Sequence, residues 1–447
     1  WGNLVLEKQE HDGAVDGNTL AVSYGYDWDD DPQTNEAAPY LRLATVTSPT
    51  GEVAYYNYAD GIDGDISRVS EIADDDLTNE GRTRYAVYSY LGAGVIVTAE
   101  HPDVSGGLTL DYGRDGSAGW DRFGRVTDQT WTNDAETTTF DDFGYTYDRA
   151  SNRLTRDNRV TTGGDDVWDE LYTYDGLNRL TNTERGTLDS GSITTLAFEQ
   201  DWSLDELGNW DEFNQDDDGD SSWDLEQDRE HNEANELTGF TADAWLAPMH
   251  DDAGNMTVAA RPGSETTAAE GLLLIYDGWN RLTKVYEDAD ADRSPDDPDE
   301  ILAMYEYDGQ RRRIVETIEA GETDIVRDSY YNDSWQVVEV HEGDDEDYPL
   351  KKFIWDLRYV DSPVVRFHDS DTDGSYEDVL YYVTDANLNV TAVVDTDGGV
   401  VERYAYDPYG KVTVLDGTTG GQTDWAVDAD GVSDVDNRTL YAGYHLD

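Results

Sequence analysis

Tyr174-Asp175-Gly176-Leu177-Asn178-Arg179-Leu180-Thr181 is the stretch that decides the fold. Just before it, Tyr172-Thr173-Tyr174 alternates, which places two aromatic side chains on one face of a strand. Asp175 is suited to accept hydrogen bonds from turn amides. Asn178 stands where a left-handed backbone is needed, as in a type I turn followed by a bulge. Arg-Leu-Thr then restarts a strand, so the stretch predicts a β-hairpin.

The same phrase recurs at Trp120-Asp121-Arg122-Phe123-Gly124-Arg125-Val126, Tyr276-Asp277-Gly278-Trp279-Asn280-Arg281-Leu282 and Tyr406-Asp407-Pro408-Tyr409-Gly410-Lys411-Val412. Versions read with one extra residue begin at Tyr147-Asp148 and Tyr307-Asp308, and looser copies at Leu204-Asp205, His250-Asp251 and Thr384-Asp385. The copies starting at 120, 147 and 174 are evenly spaced, which chance does not produce. With 30 Tyr, 13 Trp and 41 Gly in 447 residues, the chain reads as all-β: a long antiparallel sheet of repeated hairpins. Residues 1–447 are read as one continuous array and as a fragment of a longer chain.

Val400-Val401-Glu402-Arg403-Tyr404-Ala405-Tyr406-Asp407-Pro408-Tyr409-Gly410, Asp252-Ala253-Gly254-Asn255-Met256-Thr257 and His231-Asn232-Glu233-Ala234-Asn235-Glu236-Leu237, with the stretches at 174 and 276, resemble the Rhs, or tyrosine-aspartate (YD) repeat, family. That resemblance covers nearly the whole chain. Family members include polymorphic bacterial toxins, cocoon components of insecticidal toxin complexes and the teneurin shell. The resemblance implies a sheet coiling into a shell, hollow barrel or fibre. The ending Leu440-Tyr441-Ala442-Gly443-Tyr444-His445-Leu446-Asp447 resembles the opening of the family's terminal core. Toxin members continue from there into a self-cleavage site and a variable toxin.

Formal net charge is −70, from 100 acidic against 30 basic residues; five of the latter are Lys (Lys8, Lys284, Lys351, Lys352, Lys411). Such a surface repels phosphate backbones and anionic membranes, so no nucleic-acid partner and no membrane insertion are expected. There is no Cys, which excludes disulfides and Cys-ligated metal. The longest apolar run, Leu272 to Tyr276, is too short to span a bilayer.

Acidic insertions enlarge turns near 27–36, 214–222, 288–300, 369–377 and 424–437. Asn214, Asp216, Asp218 and Asp220 around Gly219, and Asp369, Asp371, Asp373 and Glu377 around Gly374, match the first half of an EF-hand-type calcium loop. Hard oxygen ligands curled around a tight Gly turn suit Ca²⁺. The twelfth position is Leu in both loops, Leu225 and Leu380, so the bidentate Glu is missing there. Asp288, Asp290 and Asp292 form a further triplet without the Gly, and Asp428-Ala429-Asp430-Gly431 is a shorter match. The seven His are scattered, and no nucleophile elbow, zinc-protease helix or phosphate loop occurs, so the chain is read as no enzyme.

Three functions remain open: an extracellular or cell-surface scaffold or filament subunit, self-associating and calcium-stabilised; a cocoon enclosing a C-terminal toxin; and a carbohydrate- or partner-binding surface exposing Trp28, Trp202, Trp245 or Trp279.

Overall fold

The computed structural model describes residues 3–11, 13–27, 41–113, 119–133, 138–160, 168–242, 245–267, 270–295, 300–319, 321, 323–343, 348–419, 422–423 and 425–445. The protein is nearly all β. Among the described residues there are two long antiparallel sheets, 17 strands over residues 6–242 and 14 strands over 249–416. Pairing is a plain meander: Asp169–Tyr174 pairs with Leu180–Asp189, which pairs with Ser192–Leu204, and so on along the chain. The residues group into two compact units. Unit 1 holds residues 1–144, 159–161 and 328–447; unit 2 holds 145–158 and 162–327.

The repeated phrase folds as one turn. At Asp175 the backbone amide donates to Arg179 O (2.9 Å) and Asn178 N donates back to Asp175 O (3.1 Å). The Asp175 carboxylate accepts from Leu177 N (2.8 Å), Arg179 N (2.9 Å) and Arg179 Nε (2.7 Å). Asp277 repeats every one of these contacts. The residue three after the Asp is left-handed, with φ 63° at Asn178 and 96° at Gly208, and the ladder bulges next to the turn, between Thr173 and Tyr174. Asn and Gly tolerate that backbone cheaply. The same φ is imposed on Arg311 (73°), Trp335 (66°) and Leu388 (65°), where sequence gives no hint of it. The apparent extra residue after Asp148 and Asp308 is absent: these turns close on Asn152 and Arg312, four residues on, as at Asp175. Full turns also form at Asn332 and Asp395, which the phrase does not reveal.

Within unit 2 most turns reach the next. Asn152 Nδ2 donates to Asn178 Oδ1 (2.9 Å), Arg179 Nη1 to Asp205 O (2.7 Å) and Asn209 Nδ2 to Asn235 Oδ1 (3.1 Å). Further on, Asn255 Nδ2 donates to Asn280 Oδ1 (3.1 Å) and Arg281 Nη1 to Asp308 O (3.2 Å). The spine has one gap. Glu236 stands at the donor position and is held by Asn232 Nδ2 (2.6 Å), so it passes no bond to the turn at Asp251. The sheets divide at the same joint: Leu237–Ala242 is the last strand of one and Met249–His250 the first of the other.

Unit 1 has an apolar core in which two stretches of meander pack face to face. Ile72, Leu108, Leu110 and Trp131 meet Val364, Val365, Tyr381 and Val394, all essentially fully buried. Polar bonds cross the same layer: Tyr88 Oη to Asp356 (2.9 Å), Tyr381 Oη to Asp103 (2.8 Å) and Arg403 Nη1 to Asp141 (2.7 Å). Unit 2 buries fewer apolar groups, among them Trp202, Phe213, Val258 and Leu273.

Candidate functional site

Three acidic loops share one backbone design. Each starts on a buried Asp at the end of a strand: Asp216, Asp288 and Asp369 are at most 1% exposed. Each of these carboxylates accepts the amide five residues on, from Ser221 (2.7 Å), Arg293 (3.3 Å) and Gly374 (2.7 Å). The fourth and sixth residues of all three loops are left-handed: Gly219 and Ser221, Ala291 and Arg293, Thr372 and Gly374. The register of the first loop therefore starts at Asp216. Asn214 lies one pair earlier, in the strand Trp210–Asp216 opposite Asp201 and Glu226.

The carboxylates converge. Ligand oxygens of Asp369, Asp371, Asp373 and Glu377 lie within 4.8 Å of one another, as do those of Asp216, Asp218 and Asp224, and of Asp288, Asp290 and Asp292. Calcium–oxygen bonds are about 2.3–2.6 Å long, so ligands on opposite sides of an ion sit at most about 5 Å apart. Asp220 is outside its cluster and accepts Ser222 N (2.8 Å). Asp224 takes its place, eight residues after Asp216 as Glu377 is eight after Asp369. Both ninth-position acids also hold the loop's second amide, Asp217 N (2.8 Å) and Ser370 N (2.7 Å). Asp373, then burial and Glu377, push the Asp371 carboxyl up, as expected where carboxylates crowd without a counter-charge. At Asp428 the carboxylate accepts Asp430 N (3.0 Å) and Gly431 N (2.9 Å). The 27–36 insertion lies outside the described residues from 28 on, as do 296–299 and Asp424 of the 288–300 and 424–437 insertions.

The sheet of unit 2 carries different chemistry on its two faces. One face is acidic, with like charges directly opposite at Glu184–Glu199 and Glu212–Asp228, flanked by Glu226 and Glu230. Burial and Glu199 together push the Glu184 carboxyl up. The other face holds a buried ion cluster and an aromatic one. Glu170, 5% exposed, takes Arg156 Nη1 (3.3 Å), Arg185 Nη2 (3.1 Å) and the Tyr172 hydroxyl. Burial pushes the Glu170 carboxyl up, but Arg156, Arg185 and Tyr172 together leave it below the usual carboxylate range. Farther along, Gln200 Nε2 donates to Gln215 Oε1 (2.7 Å), and Arg229 lies over the rings of Trp210 (4.7 Å), Phe213 (5.1 Å) and Phe240 (5.8 Å). Arg229 donates to Gln227 Oε1 through Nε (3.2 Å) and Nη2 (2.9 Å), and burial brings its guanidinium down to about 10.

Of the four singled-out tryptophans, Trp202 is buried, Trp245 is half-buried against Phe240, and Trp279 is 67% exposed at a turn tip; Trp28 lies outside the described residues. His101 Nδ1 donates to Tyr85 O (2.7 Å), and full burial brings the ring down to about 4; His341 contacts Glu339 (3.1 Å). Among the described residues no helix is long and apolar enough to cross a membrane.

The fold has known counterparts. The Tc holotoxin pore of Photorhabdus luminescens matches with a TM-score of 0.64 at 14% identity, over 96% of this chain and 20% of that one. The TcdB2–TccC3 complex with Cdc42, and TcdB2–TccC3 alone, each match with a TM-score of 0.62 at 16% identity, over 96% of this chain and 21% of theirs. This chain thus spans about a fifth of the length of the chains it matches. No protein-family model and no curated protein sequence matches it. The shared class is a long antiparallel β meander of the kind found in Tc toxin chains.

Proposed function

We propose that this chain is a wall segment of a YD-repeat cocoon that encloses a toxin polypeptide for delivery outside the producing cell. The observation carrying this reading is the match over 96% of the chain to Tc toxin chains. The YD turn supports it, because a turn that bonds to its successor builds a wall of any length from one unit. The wall's acidic exposed face keeps it soluble and repels its own kind. Calcium, held by Asp369, Asp371, Asp373 and Glu377 and by Asp216, Asp218 and Asp224, is proposed as the ion that neutralises the loops.

The test is electron microscopy of the full natural polypeptide, in calcium and in chelator, with protease added to parallel samples. Closed hollow particles containing a protease-resistant segment are expected. Filaments that fray in chelator, with every segment digested, overturn the cocoon and assign the chain to an extracellular calcium-stabilised scaffold.

A further inference from the structure

Two aromatic-stacked guanidiniums elsewhere in unit 2 also hold a carboxylate. Arg185 lies over Trp168 (4.5 Å) and pairs with Glu170; Arg281 lies over Tyr307 (4.8 Å) and pairs with Asp277. Arg229 differs from both. Three rings surround it, yet among the described residues it forms no ion pair, and its only hydrogen bonds go to Gln227 Oε1. This happens in a chain with 100 acidic and 30 basic residues, where a guanidinium finds a carboxylate easily. Geometry explains the exception. The acids nearest in sequence, Asp228 and Glu230, alternate with Arg229 along the strand Leu225–His231 and so point from the opposite face. Glu212, opposite Asp228, shares that far face. On the near face the partners are Phe240, directly opposite Arg229, and Gln227, which is 1% exposed.

A cation held between rings, with its Nη1 edge unbonded, is half of a bidentate carboxylate site. The rings thin out competing water, which strengthens a charge-assisted hydrogen bond made there. We propose that Arg229, framed by Trp210, Phe213 and Phe240, receives a carboxylate from an acidic segment of an extended peptide. The identity of that peptide, a stretch of the enclosed polypeptide, rests on the cocoon reading; the carboxylate site itself does not.

The probe is a capped four-residue peptide with one Glu, compared with the same peptide carrying Gln, titrated into the intact chain. Binding is followed through the indole fluorescence around Trp210. Saturable binding of the Glu peptide is expected, at least tenfold weaker for Arg229→Gln and for the Gln peptide on the natural chain. Arg229→Lys keeps the charge but loses the fork, so an intermediate affinity is expected and guards against a variant that merely misfolds. Equal binding of the two peptides, or equal affinity in the natural chain and in both variants, overturns the proposal. If binding holds while microscopy shows no hollow particles, the site stands and the occupant falls.

Discussion

Glu170→Gln is the substitution that tests the polar packing of unit 2 most directly. The change keeps the shape of the side chain and removes the negative charge that Arg156 (3.3 Å) and Arg185 (3.1 Å) share. The three side chains are 6%, 7% and 11% exposed, so water replaces little of what is lost. Breaking a buried pair costs about 3–5 kcal/mol, because the remaining charge stays buried and uncompensated. Two guanidiniums lose their shared carboxylate here, while the edge of Arg185 touches solvent, so a loss of about 4 kcal/mol is expected. For a unit of this size that corresponds to a melting temperature lower by roughly 8–16 °C. Urea unfolding followed by tryptophan fluorescence measures it. The pH dependence carries a sign as well. Folded Glu170 sits below its ordinary value of 4.5. Its contribution is therefore complete above that value and vanishes as pH falls through the lower folded one. The variant should lose this part of the acid sensitivity. The triple change Arg156→Met, Glu170→Leu and Arg185→Met should recover most of the stability, since a well-packed apolar trio replaces a buried ion cluster at little cost. A Glu170→Gln chain within about 1 kcal/mol of the natural one would refute this account of the cluster.

Trp335 is 56% exposed and holds a φ of 66°, so Trp335→Gly should raise stability by about 1 kcal/mol, read as a higher urea midpoint. Calcium at a hundred times its dissociation constant should stabilise the folded chain by about 2.7 kcal/mol for each loop it fills, and Asp369→Asn with Asp371→Asn should remove the share due to that loop. Equal melting temperatures in chelator and in millimolar calcium would show that the loops are only solvated. Amides of Leu237–Ala242, paired on one side alone among the described residues, should exchange with deuterium at least tenfold faster than those of Leu282–Asp288, and Glu236→Arg should narrow the difference by supplying the missing donor. Similar protection in both strands would mean the joint is closed without that donor.

The hairpin repeat was legible because its chemistry is local. An Asp that caps its own turn, and an Asn or Gly at the left-handed position, lie within five residues of each other. Turns closing on Asn152 and Arg312 read one residue too long in the sequence because Arg153 and Arg313 follow immediately and imitate the usual Arg. Trp335 and Leu388 adopt the same φ with no residue preference to announce it, since their neighbours fix the turn. In the loops, the spacing of Asp residues showed three clusters in outline, but two overlapping registers fit residues 214–222. Burial of Asp216 at a strand end chose between them, and burial is not written in spacing. The face carrying Glu170 and Arg229 was invisible from sequence, because strand pairing joins residues 11 to 19 positions apart without any motif to mark them.

The turn spine also bears on how such a chain changes over generations. Most turns of unit 2 carry their own carboxylate anchor and hand one donor forward, so a duplicated hairpin brings both halves of the joint with it. A hairpin adds two strands, which leaves inward residues inward and outward residues outward. In-frame gain or loss of a single unit is then close to neutral for the neighbours, and the length of the meander becomes a freely inherited variable. The joint after Glu236 is the exception: copies made across it inherit a missing link, and lineages that split or splice the array should favour that boundary.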